Sequence, residues 1–224
     1  MDMQVIARIR NGYQEKFGIP RQAGLVNTTL SEIVMEKPFR DPDCLRGLEE
    51  FSHLWIIWYF DRNGTSWEKT VRPPRLGGNI RKGVFATRSP YRPNRIGMSC
   101  VEIEEIQWKT PEGPKIIVRG ADLMDQTAIL DLKPYIPYTD AHPFAKGSFS
   151  DEHQHDHLRV LFPEKVANML EDHLLVEIND ILAQDPRPGY QDDPERIYGI
   201  LYHGYNVRFQ VNGQDLNVID IQKV

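Results

Sequence analysis

HLWIIWYF, residues 53–60, is an almost unbroken run of aromatic and β-branched side chains. These residue types favour strands, and a run without polar alternation predicts a strand that is buried on both faces. The run ends at Asp61-Arg62-Asn63-Gly64, where polar residues and a glycine indicate a turn. We therefore expect a core strand that carries a charged pair, Asp61 and Arg62, at its end.

Further short strands are expected on both sides of this run. The candidate strands are residues 4–10, 31–37, 83–87, 98–106, 115–120 and 127–132. Little helix separates them: Asp41-Pro42 is typical of an N-cap followed by proline at the first helical position, which predicts one or two helical turns up to Phe51. Six or seven short strands at this spacing predict a mainly β fold, either a barrel or a sandwich.

The C-terminal part of the chain has a different pattern. Residues 141–160 are polar and include His153-Gln154-His155-Asp156-His157, a cluster without flanking structure, so we expect a solvated linker and no metal site. A helix is predicted from Pro163 to Gln184, with an apolar stripe that includes Met169. The alternating segment 205–211, the turn Asn212-Gly213 and residues 216–221 predict a hairpin. We expect a barrel domain at 1–140, a linker at 141–160 and a small α+β domain at 161–224.

Length and composition restrict the class of protein. The chain has 224 residues, 40% of them hydrophobic, which is enough for a core. It contains no run of about 18 apolar residues and no hydrophobic leader, so we expect a cytoplasmic protein that is not exported. Cys44 and Cys100 lack metal-site spacing and are expected to be reduced.

The stretch VRPPRLGGNIRKGVFATRSPYRPNRIGMS, residues 71–99, has an unusual charge pattern. Between Glu68 and Glu102 there is no acidic residue and there are eight basic ones, although the whole chain has a net charge of −5. Arginine runs are commonly solvated faces or ion-pair partners. Here prolines and glycines between the arginines indicate loops held in one shape, which favours convergence on a polyanion such as RNA.

Several enzyme classes lack their sequence signatures. The chain has no GxSxG, no Walker loop, no HExxH, and no GxGxxG between a strand and a helix. From the residues alone, two functions remain open: RNA binding or regulation without chemistry, and phosphoryl hydrolysis with a divalent metal on Asp122 and Asp125.

Six motifs carry a resemblance to a known family. They are PRQAGL at 20–25, GLEEFSHLWIIWYF at 47–60, VRPPRLGG at 71–78, GVFATRSPYRPN at 83–94, IGMS at 96–99 and DLMD at 122–125. Together they resemble the TrmO family of S-adenosylmethionine-dependent tRNA methyltransferases, in detail over residues 4–140. The resemblance implies a homodimeric β-barrel enzyme with its cofactor near the subunit boundary. It also implies methylation of the exocyclic 6-amino nitrogen of threonylcarbamoyl-adenosine at position 37 of threonine tRNA.

The resemblance also implies site residues. The cofactor, S-adenosylmethionine, is expected on Pro20, Arg21, Gln22, Asp61, Arg62, Arg92, Asp122, Leu123, Met124 and Asp125. The charges and the aromatic ring of the basic stretch, and not the resemblance, predict the tRNA contacts, which are expected on Arg72, Arg75, Arg81, Lys82, Arg88, Tyr91 and Arg95. Arg95 stands where related sequences usually have proline, and Asp61-Arg62 where they often have His-Gln.

The chemistry of the cofactor matches these residue types. Its amino acid tail carries a cationic amine, which Asp122 or Asp125 would hold, and a carboxylate, which Arg21 or Arg92 would bind. The methyl group is already activated by the sulfonium, so alignment with the acceptor is the main requirement and no catalytic triad is expected. A carboxylate or a backbone carbonyl would accept the departing proton. Tyr91 is expected either to stack on a base of the tRNA loop or to pack under its own loop.

Overall fold

The computed structural model describes residues 2–73, 76, 79–153, 157–187, 191 and 193–224. A closed antiparallel barrel of six strands forms its first part, in the order β1-β2-β7-β6-β3-β8. These strands are β1 Ala7–Arg10, β2 Leu30–Met35, β3 His53–Tyr59, β6 Ile96–Gln107, β7 Lys115–Arg119 and β8 Ala128–Pro134. None of the helices in the described ranges is long and apolar enough to cross a membrane. The predicted mainly β fold with a barrel is confirmed.

The basic stretch connects β3 to β6. It begins in β4 (Thr70–Val71), which pairs antiparallel with β5 (Lys82–Gly83), and a 3₁₀ turn at Val84–Ala86 follows. The predicted strand at 83–87 is therefore wrong beyond Gly83. The Thr87 hydroxyl donates to the Val84 carbonyl at 2.9 Å, and this side-chain bond closes the turn.

The strand β3 pairs with β6 on one edge and with β8 on the other. Its side chains alternate, with Leu54, Ile56 and Trp58 inside the barrel and Trp55 and Ile57 partly exposed outside. The prediction that this strand is buried on both faces is wrong, because a barrel encloses only one face of each strand. Because the outer face also carries apolar residues, Trp55 and Ile57, the sequence does not alternate between polar and apolar residues.

Short helical turns lie between β2 and β3. They are 3₁₀ helices at Lys37–Phe39, Pro42–Leu45 and Leu48–Glu50. The Asp41 side chain accepts from the Asp43 amide, as an N-cap does. Gly47, at φ 87°, separates the second turn from the third, so the predicted helical region consists of two short pieces.

The C-terminal unit is a four-stranded sheet with a helix packed against its buried face. After α1 (Pro137–Asp140) and a 3₁₀ turn (Ser148–His153), the elements are β9 Arg159–Leu161, α2 Glu164–Ala167, α3 Asp172–Ala183, β10 Tyr198–Tyr202, β11 Tyr205–Asn212 and β12 Asp215–Lys223. The sheet order is β10-β11-β12-β9, with β9 parallel to β12. The predicted hairpin is confirmed as β11–β12.

The single helix predicted for residues 163–184 is wrong, because the helical region is divided. The amides of Met169 and Leu170 donate to carbonyls three residues earlier, which tightens and ends α2. Glu171 is extended, and α3 begins at Asp172. Met169, predicted in the core stripe, lies in this break and is 54% exposed.

The segment between β1 and β2 belongs to both units. Tyr13 and Val26 are buried in the core of the C-terminal unit, and Phe17 and Ile19 pack against that core. Tyr13 also forms an isolated bridge with Tyr202 of β10. The predicted domain division stays a prediction, and residues 154–156 of the predicted histidine linker lie outside the described residues.

Candidate active site

Loops from four parts of the barrel unit meet at the ends of β3 and β6. They enclose an open cavity of about 510 Å³. The loops are residues 16–22, 61–63, 87–92 and 122–127. Of the residues predicted to bind cofactor or tRNA, the cavity wall includes Pro20, Arg21, Gln22, Asp61, Arg62, Arg88, Arg92, Asp122 and Met124. Segments more than 100 residues apart in the chain thus line one cavity, and the roles predicted for these residues stay predictions.

A hydrogen-bonded chain of side chains runs from the barrel interior to this cavity. The Trp58 indole nitrogen donates to the Ser99 hydroxyl at 2.9 Å, and that hydroxyl donates to Oδ1 of Asp122 at 2.5 Å. Gly97 leaves room for the indole, because a Cβ there would lie 2.3 Å from Trp58 Cε2. The sequence analysis assigned no role in the site to Trp58, Gly97 or Ser99, although they lie within the motifs HLWIIWYF and IGMS.

The electrostatics of Asp122 fit a cationic ligand. Burial raises the pKa of its carboxyl above the ordinary value. The hydrogen bond from Ser99, a backbone hydrogen bond from Ala23 and the positive charge of Arg88 act in the opposite direction. A desolvated carboxylate of this kind is stabilised when a cation enters the cavity.

Leu123 and Asp125 lie in the same loop and have other contacts. Leu123 is fully buried in the barrel core. The Asp125 amide donates to the Tyr13 carbonyl at 2.8 Å, and its Oδ1 accepts from the Asn11 amide at 3.1 Å. Neither is among the described residues that line the cavity, so the geometry favours Asp122 over Asp125 as the ligand of the cationic amine.

Asn11 holds this loop in place. Its side-chain nitrogen donates to the Leu123 carbonyl at 2.9 Å, and its side-chain oxygen accepts from the Tyr13 amide at 3.0 Å. On the other side, Arg62 donates from Nη2 to the Asp125 carbonyl at 2.8 Å. Of the pair after β3, Arg62 therefore contacts the aspartate loop with its side chain.

The arginines of the basic stretch stabilise the loops of the cavity. Arg92 donates from Nη1 to the carbonyls of Thr87 and Ser89, at 3.0 and 3.4 Å. Arg88 donates to the Gln22 side-chain oxygen and so connects the basic loop to the loop at 20–22. These bonds hold the cationic groups beside the cavity that Asp122 faces.

The remaining residues predicted to contact tRNA lie around this region with differing contacts. Arg72 and Tyr91 are exposed, and Lys82 lies 6.0 Å from the Phe149 ring. Arg81 donates to Thr70 within the β4–β5 ribbon. Arg75 lies outside the described residues.

Arg95 closes the turn after β3. Its guanidinium lies 4.7 Å from the Tyr59 ring centre and donates to the Asn63 carbonyl at 2.7 Å. Its backbone has a φ of 44°, which proline, where φ is fixed near −65°, does not adopt. The tRNA contact predicted for Arg95 stays a prediction.

Family models match both units of the chain. Residues 8–141 match the tRNA-methyltransferase O N-terminal domain, and residues 155–224 match the TrmO C-terminal domain. The chain belongs to the TrmO family. No group of three or more His, Cys, Asp or Glu side chains that could hold a metal occurs among the residues the structure describes.

Individual members of the TrmO family match over nearly the whole chain. The chain is 40% identical over 227 residues to the tRNA (adenine(37)-N6)-methyltransferase of Escherichia coli. The alignment covers 97% of this chain and 96% of that protein. The chain is 37% identical over 226 residues to a putative S-adenosylmethionine-dependent methyltransferase, RcsF, of Pseudomonas aeruginosa, with 96% and 95% covered. A crystal structure of TrmO from Pseudomonas aeruginosa superposes with a TM-score of 0.79 at 31% identity and covers 100% of this chain and 97% of that one.

Proposed function

We propose that this TrmO-family protein transfers a methyl group from S-adenosylmethionine to the exocyclic N6 of adenine 37 in tRNA. Family membership over both units supports the reaction class, the donor and the tRNA acceptor. The observation that carries the proposal is the cavity that combines the desolvated Asp122 carboxylate with the arginine-rich loops.

The cavity has the size and polarity that the methyl donor requires. Its volume of about 510 Å³ lies within the range of roughly 300–1,000 Å³ found for small-molecule and cofactor sites. Asp122 binds the cationic amine of the donor, and Arg21 or Arg92 binds its carboxylate. The apolar wall that Trp58 and Met124 contribute excludes water from the uncharged part of the ligand.

The reaction needs alignment more than acid-base chemistry. When bound, S-adenosylmethionine supplies a methyl carbon activated by the adjoining sulfonium. As the nitrogen–methyl bond forms, the methyl–sulfur bond breaks and the nitrogen loses its proton to a carboxylate or a backbone carbonyl. Hydrogen bonds fix the loops around Asp122 and Arg92. A preformed site of this kind lowers the entropic cost of aligning the methyl group of the donor with the acceptor nitrogen.

We further propose that the acceptor base is threonylcarbamoyl-adenosine in threonine tRNA. The motif resemblance supports this finer assignment, and the cationic loops beside the cavity are chemically suited to the carboxylate of the threonyl group. Since the base lies in a single-stranded loop, an exposed aromatic ring such as Tyr91 can stack on it or on a neighbour.

We also propose a cytoplasmic homodimer with the donor near the subunit boundary. Met98 supports this assembly: it lines the donor cavity, is 47% exposed, and lies beside the outward-facing Trp55 and Ile57. A second copy that covers this apolar face would approach the cavity. Light scattering at working concentration is expected to give twice the mass of one chain, and a monomeric mass would contradict the assembly.

One experiment tests the enzyme and its substrate together. Labelled methyl transfer to unfractionated bacterial tRNA, followed by nucleoside mass spectrometry, is expected to give a methylated threonylcarbamoyl-adenosine. Label on plain adenosine would overturn the finer substrate. Calorimetry with S-adenosylmethionine in the presence of a chelator is expected to show binding, since the proposed site uses no metal, and no binding would overturn the enzyme assignment.

A further inference from the structure

We propose that residues 185–187 of the C-terminal unit position Arg21 in the donor cavity, so that the Asp185–Arg187 pair sets the affinity for S-adenosylmethionine. This inference rests on the proposed function. It assigns a role in donor binding to the C-terminal unit, which contributes none of the described residues that line the cavity.

The contact joins the two units directly. Arg21 lines the cavity, and its Nη2 donates to the Asp185 carbonyl at 3.1 Å and to the Arg187 carbonyl at 2.8 Å. Both acceptors lie in the segment that follows α3, more than 160 residues later in the chain. Two carbonyl dipoles on one nitrogen restrict the rotamers of a long side chain that otherwise samples many.

The accepting segment is itself rigid. Arg187 donates from Nε and Nη2 to the two carboxylate oxygens of Asp185, both at 2.9 Å, and its amide donates to Oδ1 at 3.2 Å. The Arg187 side chain is only 10% exposed. Asp185 has a φ of 48°, in the left-handed region that a non-glycine residue seldom occupies without support. The forked pair thus holds a strained turn whose carbonyls face Arg21.

Further contacts bring the same loop against α3. The Thr28 hydroxyl donates to Oδ2 of Asp180 at 2.9 Å, and the Gln184 side chain donates to the Leu25 carbonyl at 3.4 Å. The segment that carries Arg21 is therefore held along its length by the C-terminal unit. A guanidinium fixed in this way is preorganised for the carboxylate of the donor.

The test compares two arginines of the same unit. Arg187→Ala removes the bidentate Arg187–Asp185 ion pair behind the cavity. Arg159→Ala removes the Arg159–Asp215 ion pair, which is also bidentate, with both bonds at 2.7 Å, and lies on the exposed side of the sheet. Loss of a charge-assisted contact of this kind is expected to raise the Kd and the KM for S-adenosylmethionine about tenfold in Arg187→Ala, with kcat changed less than about twofold. Arg159→Ala is expected to match the wild type.

A double-mutant cycle makes the coupling explicit. Arg21→Ala is expected to weaken donor binding, and adding Arg187→Ala to it is expected to cause no further loss, because the second residue acts through the first. If Arg187→Ala does not fold, Arg187→Lys serves in its place, since it keeps the charge and loses the fork.

The outcomes separate the two proposals. Wild-type donor affinity in Arg187→Ala, an equal loss in Arg159→Ala, or additive losses in the cycle would each overturn the inference. Failure of the wild-type protein itself to bind S-adenosylmethionine would overturn the proposed function, and this inference with it.

Discussion

The chemistry of the site is concentrated at single residues, of which Asp122 is the most informative. It combines a buried carboxyl, a Ser99 hydrogen bond and a position on the cavity wall. The raised pKa indicates that the fold tolerates an ionised group there at an energetic cost, as is common where ligand binding needs a charge. Substitutions of Asp122 and of Gly97, which lies against Trp58, test this arrangement.

Asp122→Asn is expected to abolish detectable donor binding while raising the melting temperature at neutral pH. A raised pKa in the folded state stabilises the protein at low pH, and this stabilisation is lost as the pH rises through the folded pKa. The amide avoids that loss, so the gain in melting temperature should disappear below the ordinary carboxyl pKa. Calorimetry across pH measures both the donor binding and the melting temperature of the variant.

The affinity of the wild type for the donor should fall as the pH is lowered through the raised pKa of Asp122, because the carboxyl loses its charge. A donor affinity that does not change with pH would contradict this account.

Gly97→Ala is expected to lower the stability by about 1–3 kcal/mol, because overpacking in a filled interior costs this much. The added Cβ would lie 2.3 Å from Trp58 Cε2 and displace the indole that supports Ser99. Gly83→Ala is the control, since among the described residues no atom lies within 4 Å of a Cβ at that position. Chemical denaturation measures the difference, and equal stability of the two variants would refute the packing argument.

At the scale of elements, the basic stretch divides into structural and exposed cations. Arg92 and Arg95 support loops through backbone carbonyls. Arg72 is exposed, and Arg81 lies at the surface of the β4–β5 ribbon while bonded to Thr70. Among the described residues of the stretch, Arg72 and Arg81 are thus exposed cations in or beside the ribbon that a phosphate backbone can reach.

Replacing Arg72 and Arg81 together with alanine is expected to weaken tRNA binding and to reduce the slope of log K against log salt. Each phosphate contact removed from single-stranded RNA should change that slope by roughly 0.7. Filter binding between low and moderate salt gives the slope. Arg46→Ala, an exposed arginine paired with Asp43 away from the ribbon, is the control. An unchanged slope in the double variant would exclude the ribbon as the tRNA contact.

At the scale of the whole molecule, the barrel and the C-terminal unit have separate hydrophobic cores, and the segment between β1 and β2 contributes Tyr13 and Val26 to the C-terminal one. Tyr13 packs against Tyr202 with ring centres 5.2 Å apart, and the Tyr202 hydroxyl donates to the buried Glu177 at 2.8 Å. The Tyr13 carbonyl also accepts from the Asp125 amide. A backbone hydrogen bond thus connects Tyr13 of the C-terminal core to the loop that presents Asp122, and we expect both units to unfold together.

Tyr202→Phe is expected to destabilise the whole protein by about 1–3 kcal/mol, since it leaves a buried carboxyl without its donor. Thermal unfolding should remain a single transition at a lower temperature, with donor affinity reduced through the Tyr13–Asp125 contact. Tyr205→Phe, at a partly exposed position, is the control. Two separate transitions, with only the second shifted, would show that the units unfold independently.

The sequence alone was sufficient for the elements whose information is local. Alternation and turn residues predicted the β11–β12 hairpin, and the spacing of short strands narrowed the fold to a barrel or a sandwich. The motifs PRQAGL, GVFATRSPYRPN and DLMD include residues of the loops that meet at the cavity. The two faces of β3 were predicted wrongly, since aromatic side chains are compatible with both the inside and the outside of a barrel.

Other features depended on contacts between distant parts of the chain. Only the tertiary structure distinguishes Asp122 from Asp125: Asp122 is buried on the cavity wall and accepts a hydrogen bond from Ser99, whereas Asp125 is not among the described residues that line the cavity. The bond from Arg21 to residues 185–187 likewise follows from packing of the segment at 13–28 between two units. Such contacts form where the chain folds back on itself, and neither periodicity nor motif spacing carries that distance information.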